Sequence, residues 1–299
     1  MTAPDLSPTT SSRTARQVQV IAHRGSSDAL PEHTLAAYRR ALDEGADAVE
    51  CDVRLTADGQ LVCVHDRRIN RVSNGRGVVS AMSLAQLETY DFGSWKRPAA
   101  QAPNAGNEGN EGNAGSIGAP EIADDPEARG VLRLESLLEL VAGCGRRVDL
   151  AIETKHPVRY RGRVESELLR ALERFGISGP DGSPAGPGRP QARVMSFSAL
   201  ALGRVRRAAP QLDRVFLFDR MVALPLGPGR ALPGGARIAG PGIDLVRSRP
   251  GLVTALRAAG HQVHVWTVDE PADVELCVQL GVSAIITNRP AQVLAQLGR

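Results

Sequence analysis

Residues 22 to 66, AHRGSSDALPEHTLAAYRRALDEGADAVECDVRLTADGQLVCVHD, carry His23-Arg24-Gly25, Glu50-Cys51-Asp52 and His65-Asp66. Glu50 and Asp52 are two apart in an apolar run, so in a strand both carboxylates face the same way. Burying two like charges together is unfavourable unless a cation lies between them. Hard oxygen donors without a nearby Cys or a pair of His favour Mg²⁺ or Ca²⁺ over zinc. His23 and His65 each end an apolar run beside a charged residue, which makes them the proton-transfer candidates, because imidazole titrates near neutral pH. Arg24 could read phosphate oxygens bidentately and Lys155 could supply a point charge. Glu153, two residues before Lys155, ends a further apolar run and would complete a three-carboxylate site. Each group also has a plainer reading. Glu153 could simply pair with Lys155, one of Glu50 and Asp52 could pair with an arginine, and Trp266 could be core instead of an apolar wall for a ligand. Residue type and spacing give no role to His33, His156, His261 or His264.

These side chains need elements to bring them together. Val18 to Ala22 reads as a buried strand, a helix runs from the Pro31–Thr34 segment to Gly45, and Ala48 to Val53 is the next strand. Thr56-Ala57-Asp58-Gly59 is a turn into a third apolar run, Leu61 to Val64, which suggests a hairpin. Residues 67 to 133 break the rhythm, with a short helix capped by Ser83 and a low-complexity stretch over about 97–130. From Leu134 strands and helices alternate to the end, with strands at 148–153, 192–196, 214–218, 243–246, 262–267 and 283–286 and an irregular stretch over 221–242. About eight alternations in this length predict a (β/α)8 TIM barrel with a small insertion after the second strand, at about 56–130. An open doubly wound sheet is the competitor, but no glycine-rich dinucleotide fingerprint follows the first strand. The barrel is also the fold that gathers strand C-termini, where His23, Glu50/Asp52, Glu153/Lys155, Trp266 and Thr287/Asn288 lie, onto one face.

Composition excludes several classes of function. The net charge of +3, from 36 basic and 33 acidic residues, gives no polyanion-binding surface, so no nucleic-acid partner is expected. Four scattered cysteines suit a reducing compartment, and no apolar leader or membrane-spanning run is present, so a cytoplasmic protein without stable membrane association is expected. Residues 1–17 read as a disordered tail, leaving 18–299 as one catalytic barrel domain.

In order along the chain, HRG, PEHT, ExD, TxDGxxVxxHD, the strand ending Glu153-Thr154-Lys155, VWTVD and IITNRP resemble the glycerophosphodiester phosphodiesterases. The resemblance spans Gln19 to about Val293. It implies a TIM barrel with an insertion after its second strand and hydrolysis of glycerophosphodiesters to an alcohol and sn-glycerol 3-phosphate. It further implies one divalent metal ion, Mg²⁺ or Ca²⁺, on Glu50, Asp52 and Glu153, and His23 and His65 as the acid–base pair. Arg24 and Lys155 match the phosphate-binding groups, Glu32 and His33 of the PEHT motif are candidates to support the metal site from behind, and Trp266, in VWTVD, is kept as a substrate-binding candidate through its apolar ring. The chain departs from the family at two places: His33 replaces the usual Asn of PENT, and Asp269 replaces the usual Asn of VWTVN. His33 can still donate a hydrogen bond, and Asp269 is expected to alter a supporting contact and not the chemistry. The rival readings are a lysophospholipase D or a phosphatidylinositol-type phospholipase C, both disfavoured by the lack of a leader and of an exposed aromatic patch, and a non-catalytic barrel that senses a phosphorylated metabolite.

Overall fold

A computed structural model describes residues 18–96, 125–225, 227 and 229–299. The proposed tail over 1–17 and most of the low-complexity stretch lie outside these residues. Eight parallel strands close a barrel: β1 (Gln19–His23), β2 (Ala48–Leu55), β4 (Asp149–Thr154), β5 (Ala192–Ser196), β6 (Asp213–Phe218), β7 (Ile238–Pro241), β8 (Gln262–Val265) and β9 (Ala284–Thr287). The first and last close the ring, with Gln19 opposite Ala284 and Ala22 opposite Thr287. β3 (Leu61–Cys63) stands apart and pairs antiparallel with the end of β2, Val53 opposite Cys63.

Strand alternation sorts the side chains into an outer and an inner set. Val20, Val49, Cys51, Leu150, Ile152 and Ile285 face outwards into the large core shared with the helices. The alternate positions point into the barrel and fill it in layers, as a barrel of this size requires. At the N-terminal end of the strands, Arg193 Nη2 donates to Gln19 Oε1 (2.7 Å), Gln19 Nε2 donates to Asp149 Oδ2 (3.2 Å), and His264 Nδ1 lies 3.4 Å from Arg193 Nη1. Above this polar floor comes an apolar plug that includes Ile21, Ala48, Ala151, Met195, Ile238 and Ile286. The next inward positions along β1, β2 and β4 are His23, Glu50, Asp52 and Glu153. Strand register therefore places these four together, with His23 opposite Glu50 and Asp52 opposite Glu153.

Helices α1 (Leu35–Asp43), α3 (Leu134–Ala142), α4 (Arg163–Arg174), α5 (Ala199–Ala208), α6 (Ile243–Ser248), α7 (Gly251–Ala258), α8 (Pro271–Leu280) and α9 (Pro290–Gln296) surround the barrel, and α2 (Leu84–Leu87) lies between β3 and α3. The Ser83 cap of α2 is present as a capping box with Gln86. Helix α1 starts after the PEHT segment, capped by Thr34, so Glu32 and His33 stay in the loop; His33 is held at φ +60°. Gly25 at φ +84° lies so close to α1 that an added Cβ would fall 2.6 Å from the Ala37 carbonyl carbon, so only glycine lets the β1–α1 loop fold back on the helix.

One segment differs from the sequence reading. The run 243–246, expected as a strand, is the start of α6, and the sixth barrel strand is β7, Ile238–Pro241, inside the stretch read as irregular. Apolar runs of four residues suit either element, and the Gly240-Pro241 pair, read as a breaker, hid the strand. Gly240 is needed there because a Cβ would meet Leu217 Cδ2 at 2.5 Å. No helix among the described residues is long and apolar enough to cross a membrane.

An ion-pair clamp ties the β1–α1 loop to the segment after β3. Arg71 donates from Nη1 and Nη2 to the two oxygens of Glu32 (2.8 and 2.7 Å) and from Nε to Asp66 Oδ2 (2.8 Å), while Arg24 Nη1 donates to Glu32 Oε1 (3.0 Å). Burial alone would raise the Glu32 pKa, but the Arg71 hydrogen bonds and the Arg24 charge outweigh it and lower it from 4.5 to about 2. A depressed carboxylate pKa stabilises the fold above its unfolded value, and that contribution is lost as pH falls from 4.5 towards 2. Because Arg71 is 44% exposed, the clamp's contribution is discounted to about 1–2 kcal/mol. Denaturant unfolding between pH 2 and 7 should therefore show Glu32→Gln destabilised by that amount at neutral pH and converging with the native protein near the acid end; a constant difference across the range would rule out the clamp.

Candidate active site

Glu50, Asp52 and Glu153 each offer a carboxylate oxygen within 4.8 Å of the others, and all three are buried. Around them the fold supplies compensating donors. Lys155 Nζ lies 2.9 Å from Glu153 Oε1 and 3.3 Å from Asp52 Oδ1. Arg24 N donates to Glu50 Oε2 (3.0 Å), and Arg24 Nε lies 3.1 Å from Asp52 Oδ2. That Nε–H points off the Asp52 oxygen and is left as a buried donor without a hydrogen-bond partner. His33 Nε2 sits 2.9 Å from Asp52 Oδ2, and the Tyr38 hydroxyl lies 2.8 Å from His33 Nδ1 and 2.9 Å from the Glu50 carbonyl. Burial lowers the His33 pKa, and because the ionised Asp52 can only accept, His33 carries a proton on Nε2, towards Asp52.

The three carboxylates are not electrostatically equivalent. Burial would raise Asp52, but Lys155, the His33 hydrogen bond and Arg24 together hold it well below the usual carboxylate range. Glu50 is pushed well up by burial and by Asp52, and Glu153 is raised to about 8 by the same two causes. The protein's own cations therefore neutralise one of the three charges. The other two carboxyls drift towards the protonated form, which is what a cluster built for a missing positive charge does. Three buried hard oxygen donors at this spacing suit Mg²⁺ or Ca²⁺.

Both histidines line one cavity of about 160 Å³ together with Arg24, Glu50, Glu153 and Lys155. Asp52 lies behind this wall, covered by its partners. Asn288 Nδ2 donates to Asp269 Oδ2 (2.6 Å), so its carbonyl Oδ1 faces His23 Nδ1 at 2.7 Å; Ser27 Oγ donates to the same oxygen (2.7 Å). Asp269 Oδ1 also accepts from Thr287 Oγ1 (2.9 Å) and from Asn288 N (2.8 Å), which fixes the amide. His23 Nδ1 is therefore a donor, and Nε2 is left with its lone pair. Burial first and Arg24 second lower the His23 pKa to about 3, so the ring is neutral. His65 Nδ1 lies 2.7 Å from Asp66 Oδ1, whose other oxygen accepts from Arg71, and burial, Arg24 and Lys155 lower its pKa against the pull of Asp52 and Asp66.

Trp266 packs against the apolar plug and lines the same cavity, but its indole N–H is used on the Gly240 carbonyl (2.8 Å), leaving only ring surface for a ligand. Phe197 meets it edge-on with ring centroids 5.5 Å apart and is 44% exposed, so an aromatic edge does stand open beside the cavity, contrary to the expectation of none. Glu32 and His33 stay outside the cavity lining and act on Arg24 and Asp52 from behind. Sequence reasoning gave Asn288 and Tyr38 no role. Asn288 could be noticed only as a polar residue at a strand end, and Tyr38 looked like an ordinary core-facing helix residue.

Comparison with known proteins identifies the family. The family model described as "Glycerophosphoryl diester phosphodiesterase family" matches residues 23–292. The chain is 44% identical over 281 residues to the "Probable glycerophosphodiester phosphodiesterase 1" of Mycobacterium tuberculosis, covering 93% of this chain and 92% of that one. A crystal structure of glycerophosphodiester phosphodiesterase from Agrobacterium tumefaciens superposes with a TM-score of 0.67 at 26% identity, covering 93% of this chain and 99% of that one. The Oleispira antarctica phosphodiesterase, solved in complex with the product sn-glycerol-3-phosphate, shares the fold with a TM-score of 0.70 at 21% identity, covering 95% and 98% of the two chains. The buried carboxylate cluster, the two histidines facing one cavity and these matches along nearly the whole chain lead to one conclusion: the chain belongs to the glycerophosphoryl diester phosphodiesterase family.

Proposed function

We propose that this chain hydrolyses glycerophosphodiesters to an alcohol and sn-glycerol 3-phosphate, with a divalent cation held by Glu50, Asp52 and Glu153. The observation that carries the reading is the convergence of three carboxylates within 4.8 Å beside a cavity lined by both His23 and His65. When bound, the cation supplies charge stabilisation for the phosphodiester and lowers the pKa of the glycerol 2-hydroxyl. Arg24 brings a guanidinium and Lys155 an ammonium to the cavity; both would receive the phosphoryl oxygens and stabilise their charge. His23 takes the proton of the 2-hydroxyl on Nε2, because its Nδ1 is committed to Asn288. His65 protonates the leaving alcohol, because Asp66 on its Nδ1 stabilises the protonated ring. The 2-hydroxyl oxygen bonds to phosphorus as the bond to the leaving oxygen breaks, giving a cyclic phosphate. Water then opens the ring with the two histidines in reversed roles. Burial lowers the pKa of both rings, and an anionic substrate beside them opposes the further lowering by Arg24 at His23 and by Arg24 and Lys155 at His65.

A second reading is favoured by one feature. The open aromatic edge of Phe197 and Trp266 could receive an alkyl chain, as a lysophospholipase D would require. Release of glycerol 3-phosphate from glycerophosphocholine, compared with release of choline from a lysolipid, separates the two.

In that assay, activity should disappear with EDTA and return with Mg²⁺ or Ca²⁺; full activity in excess chelator would overturn the metal assignment. His23→Ala and His65→Ala should each lose at least ~10²-fold in kcat, and near-native turnover in either would remove it from the mechanism. Asp269→Ala frees the Asn288 amide to rotate. It should lower kcat on the order of tenfold with KM nearly unchanged and move the basic-group limb of the pH–rate profile. An unaltered profile would show that Asp269 supports the fold and not His23.

A further inference from the structure

Beside the catalytic cavity, and sharing no lining residue with it, lies a larger one of about 450 Å³. One wall is the end of β2 with Arg54 and Leu55, and another is the turn Val79–Ala81 after β3. The third is the loop from Pro157 to Tyr160 that leads into α4. Its floor is apolar, from Leu55, Val79, Val158 and Val164. Three arginines, Arg54, Arg67 and Arg159, line it, and among the described residues no carboxylate does.

The arginines differ from those elsewhere in the site. Arg24 and Arg71 are committed to carboxylates, whereas Arg67 and Arg159 have no ion-pair or hydrogen-bond partner for their guanidinium groups among the described residues. Arg159 lies over the Tyr160 ring, 5.6 Å from its centroid. The Tyr160 hydroxyl donates to the Ser80 carbonyl (2.9 Å) and so joins two of the walls. Arg67 is tied to the Val79 turn because Val79 N donates to the Arg67 carbonyl (3.1 Å) and Arg68 bridges to Val78. Arg54 donates from Nε and Nη2 to the His65 carbonyl (3.0 and 2.7 Å), which fixes its guanidinium and leaves Nη1 without a protein partner among the described residues. The hollow is thus preformed, with Arg54 fixed and Arg159 laid over Tyr160, while the Arg67 guanidinium is left to order on a ligand.

We propose that this cavity is a second ligand site, for a soluble anionic amphiphile: a phosphate or carboxylate group on an apolar chain or ring. The anion would lie among Arg54, Arg67 and Arg159 and the apolar part on Leu55, Val79 and Val164. The cavity shares a wall with the catalytic one through the Arg54–His65 contact, yet its charge and floor select a ligand by themselves, whatever reaction the neighbouring site performs.

Isothermal titration calorimetry with monomeric octyl phosphate tests this on the full chain. The expected result is saturable binding that the double variant Arg67→Ala/Arg159→Ala weakens at least ~10-fold. Both side chains are exposed, so the variant should keep its native circular dichroism spectrum. Octyl glucoside, with the same chain and no charge, and inorganic phosphate, with the charge and no chain, should each bind at least ~10-fold more weakly than octyl phosphate. The assignment is overturned by undetectable octyl phosphate binding or by equal affinity in the double variant. It is equally overturned by equal affinity for either control, or by association seen only with phosphatidic acid vesicles. Should the double variant misfold, Arg67→Gln and Arg159→Gln tested singly carry the same expectation in direction.

Discussion

Everything at the C-terminal mouth of this barrel depends on how the charge of three buried carboxylates is managed. Glu50, Asp52 and Glu153 sit within 4.8 Å of one another where water is nearly excluded, and such a cluster cannot be fully ionised without positive charge. The fold answers in part. Lys155 spans Asp52 and Glu153, Arg24 contacts Glu50 through its backbone and Asp52 through its side chain, and His33 donates to Asp52. These partners hold Asp52 ionised and leave Glu50 and Glu153 raised, so the site retains a demand for one more cation. An unsatisfied charge balance of this kind marks a functional site more often than a structural one.

The supporting network follows from the same demand. Arg24 can reach the carboxylates only because the β1–α1 loop turns back at Arg24 (φ +56°) and Gly25, and Glu32 holds its guanidinium in place. Glu32 is in turn held by Arg71, which also orients Asp66 against His65. A continuous chain of ion pairs thus runs from the second proton-transfer candidate to the carboxylate cluster. The first candidate, His23, is oriented separately by Asn288 and Asp269, which follow the neighbouring strands β9 and β8. The Asp269 that departs from the family pattern is saturated with donors, accepting from Thr287, from Asn288 N and from the Asn288 amide, and a carboxylate accepts all three without needing a proton of its own.

Much of the fold was legible because each strand alternates between two buried faces and each helix has its stop. Ser83 caps where its side chain predicts, Gly45 at φ +91° follows the end of α1, and the Asp58-Gly59 turn leads into the antiparallel β3. The exception is instructive. β7 is four residues long and ends in Gly-Pro, and α6 begins with an equally short apolar run, so local pattern had nothing with which to separate them. What decides is the barrel: an inward Gly240 fits against Leu217 where a larger residue would collide.

The sequence by itself determined which residues carry chemistry and, through strand period, which of them share a face: Glu50 with Asp52, and Glu153 with the inward set of β4. It also determined the family, because the motifs occur in order from HRG to IITNRP. Only the tertiary structure decided that His23 and His65 open onto one cavity, that Trp266 offers a ring and not a donor, and that Asn288, Asp269 and Tyr38 orient the groups in front of them. Periodicity is a property of neighbours along the chain. Contacts such as His23 to Asn288, 265 residues apart, exist only once eight strands have closed into a ring and set their register.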